Sequence, residues 1–186
     1  MSRRLVLTAH ASLDGVVDRP EALLALDDRD ADELGDVLLE SRGTEVGLLL
    51  GRRTFETLRG DWSEVAWDPT GTARHLAGLE RHVVSTTVDR SDWATAVLPG
   101  GEGLADDVGV LLKHGPDGDV GVHGSVTLAH ALFAHGLLDE MRLVVHPHVL
   151  GHGRRLFPAG CPMRALHLAD SRPLRSGVTV QVYRWR

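Results

Sequence analysis

The chain has 186 residues, 42% of them hydrophobic, 25% charged and 4% aromatic, with a formal net charge of −6. That length can bury a sizeable core without disulfides or a structural metal, and the acidic balance argues against nucleic acid as a partner. No apolar run reaches the ~18 residues a membrane span needs, and a single cysteine, Cys161, excludes an intrachain disulfide and suits the reducing cytoplasm.

Residues 5–9 form a short apolar run behind Met1-Ser2-Arg3-Arg4. They resemble a signal peptide faintly, but the run is short and Asp14 follows without a cleavage site, so a first buried strand is expected. A polar loop covers 12–20. Leu34, Val37, Leu38 and Leu39 fall on one helical face within 31–41, and Gly43 is the stop. The uncharged run 46–50 is the next strand, ended by Gly51, and 53–58 opens a helix. Strands are expected at 81–85 and 94–98, a helix at 104–113, a strand at 120–123, a helix at 124–134 and a strand at 141–145. The last two strands, 166–170 and 178–185, flank a connection at 172–177, as in a hairpin. Strand–helix alternation implies a mostly parallel sheet with helices on both faces and an antiparallel edge at the C-terminus. No fixed-period repeat or low-complexity tract interrupts it, so residues 1–186 are expected to be one domain.

In such sheets ligands bind beyond the carboxyl ends of the strands. Gly51-Arg52-Arg53-Thr54 follows one strand and opens a helix. Glycine permits the turn, the helix start offers N–H groups and partial positive charge, and arginines and a hydroxyl add donors for phosphate. An ordinary turn with solvated arginines is the plainer alternative. Ser85-Thr86-Thr87 ends another strand; its hydroxyls either receive phosphate or ribose, or form a turn. Gly124-Ser125-Val126-Thr127 repeats the strand–helix pattern, with Ser125 as a side-chain N-cap, a pyrophosphate contact, or both. Neither the glycine fingerprint of ordinary dinucleotide folds nor a phosphate-binding P-loop is present.

These residues resemble the dihydrofolate-reductase-like superfamily, and within it the C-terminal reductase domain of RibD. The marks are Ser12-Leu13-Asp14-Gly15, Gly51-Arg52-Arg53-Thr54-Phe55-Glu56 and Val83-Val84-Ser85-Thr86. His123-Gly124-Ser125-Val126-Thr127-Leu128 follows, then the segment from His135 through Pro147-His148-Val149-Leu150-Gly151 to Phe157. The resemblance covers nearly the whole chain. It implies a three-layer α/β/α fold and NADPH-dependent reduction of a small heterocycle, the nearest family activity being 5-amino-6-(5-phosphoribosylamino)uracil reduction in riboflavin biosynthesis. It places Arg52, with Ser85 and Thr86, at the adenosine 2′-phosphate, Arg53 and Thr54 at the pyrophosphate, and Gly51 among the coenzyme-binding residues. Gly124, Ser125, Val126 and Thr127 would cover its other side, while Ala9, Asp14, Gly15 and Val16 resemble the wall and lid around the nicotinamide. A homodimer is implied as well, with Asp139-Glu140 near its surface, and no metal.

The sequence departs from dihydrofolate reductases where their substrate acid stands. The matching position falls near Gly35, beside Asp32 and Asp36. The catalytic acid is therefore unassigned among His10, Asp14 and Asp36. His10 stands where the first strand meets the site, as a proton donor or as packing; Asp14 can instead cap the lid turn. Trp62 and Trp67 either line the substrate pocket or cover the core. His146, His148 and His152 are incidental or, less economically, metal ligands. A non-catalytic ligand-binding module that kept the fold is the alternative function.

Overall fold

The computed structural model describes residues 3–25, 28–61, 75, 78–88 and 91–185. Trp62 and Trp67 lie outside them. Among the described residues, β1 (Arg4–Ser12), β2 (Glu45–Gly51), β3 (Glu80–Val84), β4 (Ala96–Leu98), β5 (Asp119–His123), β6 (Glu140–His146), β7 (Leu166–Pro173) and β8 (Thr179–Trp185) form one sheet. Its order is β4-β3-β2-β5-β1-β6-β8-β7. Every pairing from β4 across to β6 is parallel. β8 runs antiparallel to both β6 and β7, which is the expected C-terminal hairpin.

The helices are α1 (Pro20–Leu23), α2 (Asp28–Arg42), α3 (Arg52–Asp61), α4 (Leu104–Lys113) and α5 (Val126–His135). Successive strand residues face opposite sides, and both sides are apolar here. Leu5, Leu7, Leu49, Val120 and Val122 pack with Leu104 and Val108 of α4 and Leu128 and Leu132 of α5. On the other face Leu34 and Leu38 of α2 meet Val144, Val178 and Val180, and Phe55 of α3 meets Leu48, Leu50 and Val83. Covering a parallel sheet on both faces is why its strands are continuous apolar runs. Gly136, at φ 65, closes α5 by donating its N–H to Leu132 and Phe133 carbonyls. Among the described residues no helix is long and apolar enough to cross a membrane.

One boundary matters for the site. β1 continues past Ala9 to Ser12, pairing Ser12 with His146 of β6. Ala11 is buried, and so is Ser12. The apolar run ends at Ala9, but the ladder does not, because the backbone goes on pairing beneath the polar side chains of His10 and Ser12.

Candidate functional site

The carboxyl ends of β1, β2, β3 and β5 open on one cavity of about 1130 Å³. Two of its loops touch through glycine. A Cβ on Gly51 would lie 1.9 Å from Ser125 Oγ, so only a residue without one lets the β2–α3 and β5–α5 turns come this close. Gly51, Arg52, Arg53 and Thr54 all line the cavity from the first turn. The Arg52 guanidinium pairs with Glu56 at 2.9 Å with both side chains about half exposed. Such pairs contribute little, so the arginine can turn to a ligand at small cost. Ser85 and Thr86 line the cavity from the end of β3. Ser85 Oγ accepts the N–H groups of Thr87 and Val88, so the turn reading of this hydroxyl cluster holds in the free protein.

Gly124, Ser125, Val126 and Thr127 line the opposite wall. Here one expectation is corrected. Ser125 does not cap α5 with its side chain; its backbone is left-handed, at φ 56 and ψ 69. That conformation turns the hydroxyl to Gly51 and away from the first-turn N–H groups. Thr127 Oγ1 accepts from Arg154 at 3.1 Å, and Arg154 also lines the cavity.

The 12–16 loop is built as a latch. Gly15, at φ +83, closes a turn by donating to the Ser12 carbonyl. Asp14 accepts from Ser12 Oγ at 2.7 Å and from the N–H groups of Leu150 and Gly151 at 3.0 Å, while Arg155 donates to its carbonyl. These bonds, Ser12's first and Leu150's next, hold its carboxyl down at about 2. Val16 is fully buried and bridges to Arg155. Asp14, Gly15 and Val16 are thus not among the residues lining the cavity; they tie the lid to the 148–155 segment, and Asp14 serves the turn rather than the cavity.

At the β1 end the cavity is lined by Thr8, Ala9, His10, Arg42 and His123. Asp36 is not there. It is exposed on α2, because the helix turns Leu34 and Leu38 to the sheet and leaves Asp36 on its outer side. The helix reaches the cavity instead through Arg42, its last residue, buried and pushed down to about 10 by desolvation. Beneath it His123 Nε2 lies 3.0 Å from Glu45 Oε1, with Glu45 wholly out of solvent. Burial opposes the charge of Glu45, but His123, Arg42 and Arg142 outweigh it and hold the carboxyl below its ordinary range. His123 itself is pushed down by desolvation and by Arg42. His10 Nδ1 and His146 Nε2 are 3.0 Å apart. Burial, with His146 next, pushes His10 to about 3; burial and His148 push His146 to about 4. Both rings are neutral at pH 7, so His10 is no imidazolium acid there.

His10 and His146 predict an acid limb in stability. In the unfolded chain an imidazole titrates near 6.5. In the folded chain each takes its proton only at lower pH, so between about pH 6.5 and 4 the unfolded state binds more protons. Stability then falls as pH falls, by up to about 1.4 kcal/mol per pH unit for each histidine. Urea midpoints measured at about pH 7 and pH 5 are expected to drop markedly; equal midpoints contradict the burial of neutral rings. Asp14 acts in a lower window: its contribution, present above about pH 4, is lost as pH falls toward 2.

His146 and His148 do stack, with ring centroids 6.5 Å apart. Among the described residues no three His, Cys, Asp or Glu side chains gather where a metal ion could sit. Sequence reasoning missed Thr8, Arg42 and the Gly100-Gly101 turn, which also line the cavity. Gly100 and Gly101 have φ 68 and 73, so the glycine pair after β4 was a legible turn signal. Arg42, at the end of an amphipathic helix, had none.

With this geometry in place, comparison with known proteins gives three findings. The family model described as RibD C-terminal domain matches residues 3–180. The uncharacterised protein YyaP of Bacillus subtilis (strain 168) is 29% identical over 187 aligned residues, covering 98% of this chain and 95% of that one. Among solved structures, a protein of Shewanella sp. PV-4 provisionally assigned to riboflavin biosynthesis superposes with TM-score 0.69 at 19% identity, over 100% of this chain and 99% of that chain. Dihydrofolate reductase from Enterococcus faecalis, complexed with NADP(H), superposes with TM-score 0.63 at 14% identity, over 100% and 99%. At those identities the superpositions speak for a shared dihydrofolate-reductase-like fold.

Proposed function

The chain belongs to the RibD C-terminal domain family, and from that footing we propose that it is an NADPH-dependent reductase of a small heterocyclic substrate. The observation that carries this is the single cavity joining the tips of β1, β2, β3 and β5. Its two ends differ in chemistry. One offers arginines, hydroxyls and helix starts, the donor set a phosphorylated nucleotide needs. The other holds Thr8, Ala9 and His10, and the apolar lining of the cavity includes Val17, Leu23 and Leu24. The contact at Gly51, where Ser125 Oγ takes the place a Cβ would fill, brings the β2–α3 and β5–α5 turns together, so that helix-start N–H groups from both can serve one pyrophosphate.

In this reading Arg52 takes the 2′-phosphate with Ser85 and Thr86. Gly51, Arg53 and Thr54 take one side of the pyrophosphate, and Gly124, Ser125, Val126 and Thr127 take the other. Bound there, the coenzyme supplies the hydride. The chain's own part is to orient the two reactants, with Ala9 at the wall, and to keep water out behind the latch that Asp14 ties. The nearest activity in the family is reduction of 5-amino-6-(5-phosphoribosylamino)uracil; a cytoplasmic homodimer goes with the same proposal. The alternative, a ligand-binding module without turnover, draws on the absence of Asp36 from the cavity.

Thermal melts test the coenzyme. At about 100 times its dissociation constant a ligand adds about 2.7 kcal/mol, which in a chain of this size raises Tm by about 5–10 °C. NADPH is expected to do so well below the concentration at which NADH does. Equal shifts with both coenzymes remove the 2′-phosphate assignment. Oxidation of NADPH by any of a panel of cyclic imines and carbonyls then separates enzyme from module.

A further inference from the structure

The chamber end of the cavity holds a hydrogen-bonding feature the assigned coenzyme site does not use. His10 and His146 lie on one face of the sheet, from β1 and β6, with ring centroids 5.3 Å apart. His146 is fully buried, and among the described residues its Nδ1 has no hydrogen-bond partner. Its Nε2 meets His10 Nδ1 at 3.0 Å. A neutral imidazole carries one N–H, so the pair has two arrangements. If His146 carried its proton on Nδ1, that N–H would be buried and unmet. If it carries the proton on Nε2, only a lone pair is unmet. Orphaned buried donors are the rarer and costlier case. His146 therefore donates from Nε2 to His10 Nδ1, and His10 must carry its own proton on Nε2, the ring nitrogen left for the cavity that His10 lines.

We propose that His10 presents a neutral Nε2–H to the substrate, fixed in that tautomer by His146, and that the substrate meets it with a carbonyl oxygen or a ring-nitrogen lone pair. His146 is then a positioning residue. The surroundings agree. The side chains around His10 are Thr8 beside it on β1, Arg42 from α2, and His123 on β5, whose own partner is Glu45 of β2. Thr8 Oγ1 is buried on the same face, without a partner among the described residues. Among the described residues the only carboxylate lining the cavity is Asp18, which accepts the Arg154 backbone N–H. Such a floor rejects an amidinium-like edge, which brings only donors and positive charge. It favours uncharged or anionic heterocycles that bring an acceptor. The inference rests on reading this chamber as the substrate end of a reductase, but its test needs neither coenzyme nor turnover.

Nitrogen-15 NMR of the histidine rings in the intact chain reads the tautomer directly. The expected result is a pyrrole-type Nε2 and a pyridine-type Nδ1 for His10, unchanged across about pH 5 to 8. A pyridine-type Nε2, or titration within that range, overturns the proposal. In His146→Leu the His10 ring is expected to populate both tautomers, and His146→Gln, which keeps a donor, to restore one. A ring that keeps its tautomer in the leucine variant overturns the positioning role. Benzamide and benzamidine then test the substrate class, being alike in shape but opposite in what they offer. Benzamide is expected to shift the His10 Nε2–H signal and to bind at least about tenfold more tightly. Equal binding, preference for benzamidine or no shift with either overturns the assignment. Should NADPH fail to bind while the tautomer and the benzamide preference hold, the reductase reading falls and this donor stands.

Discussion

Arg52→Ala is expected to weaken NADPH binding about 10- to 100-fold and to leave NADH nearly unchanged, the range a charge-assisted hydrogen bond to phosphate supports. The 2′-phosphate is dianionic and geometrically matched to a guanidinium fork. NADH presents only a hydroxyl there. Arg52 sits at the first turn of α3 beside the cavity, and among the described residues it pairs with the exposed carboxylate of Glu56. Little is lost when it leaves that pair, so most of the phosphate interaction appears as affinity. Fluorescence titration of both coenzymes against wild type and variant measures it. Arg52→Lys should recover part of the loss, since charge returns without the fork. An equal loss for both coenzymes would place Arg52 at the pyrophosphate or would reflect general damage to the α3 start, and the assignment would have to move to Arg53.

The second large effect is on stability. Gly121 lies in the middle of β5, and a Cβ built there would come within 2.7 Å of both Glu45 Oε1 and His123 Nε2. The space that glycine leaves is occupied by the buried ion-and-imidazole pair. Gly121→Ala must therefore separate Glu45 from His123, or push β5 from β2. Taking a hydrogen bond from a buried carboxylate costs about 1.5–3 kcal/mol, so Tm should fall by about 3–12 °C for a chain of this length. Gly109→Ala gives the opposite sign. Gly109 is inside α4, with nothing within 4 Å of its added Cβ, and alanine in a helix interior is favoured by about 0.5–1 kcal/mol. Calorimetric or fluorescence melts of the two variants should thus bracket the wild type. A neutral Gly121→Ala would mean that the Glu45–His123 contact is dispensable.

Much of the fold was written locally. The runs 46–50 and 120–123 have no charge within them, and strands covered on both faces need to be so. Gly51 and Gly124 end such runs before helices, so the β2–α3 and β5–α5 turns could be located from the chain alone. Eleven of the thirteen residues expected around a coenzyme do line one cavity. The two that do not, Gly15 and Val16, belong to a loop whose role follows from what it touches. Asp14 looked available to a ligand until the N–H groups of Leu150 and Gly151, far along the chain, took its oxygens. Asp36 stood at a plausible spacing, but the rotation of α2, set by Leu34 and Leu38 on the sheet, carried it outward.

The sequence by itself determined the order and kind of the elements and the glycine turns at the strand tips, because periodicity and turn chemistry act within a few residues. Tertiary structure alone decided the floor of the cavity. Thr8, His10, Arg42, Glu45, His123 and His146 come from five separate elements. Polar residues of this kind carry no periodic signal, and whether each is buried, paired or turned to the cavity depends on which strands lie side by side and in what register. The tautomer proposed for His10 is the extreme case: it follows from an atom of His146 that has no partner among the described residues, a circumstance that exists only once β6 has been laid against β1.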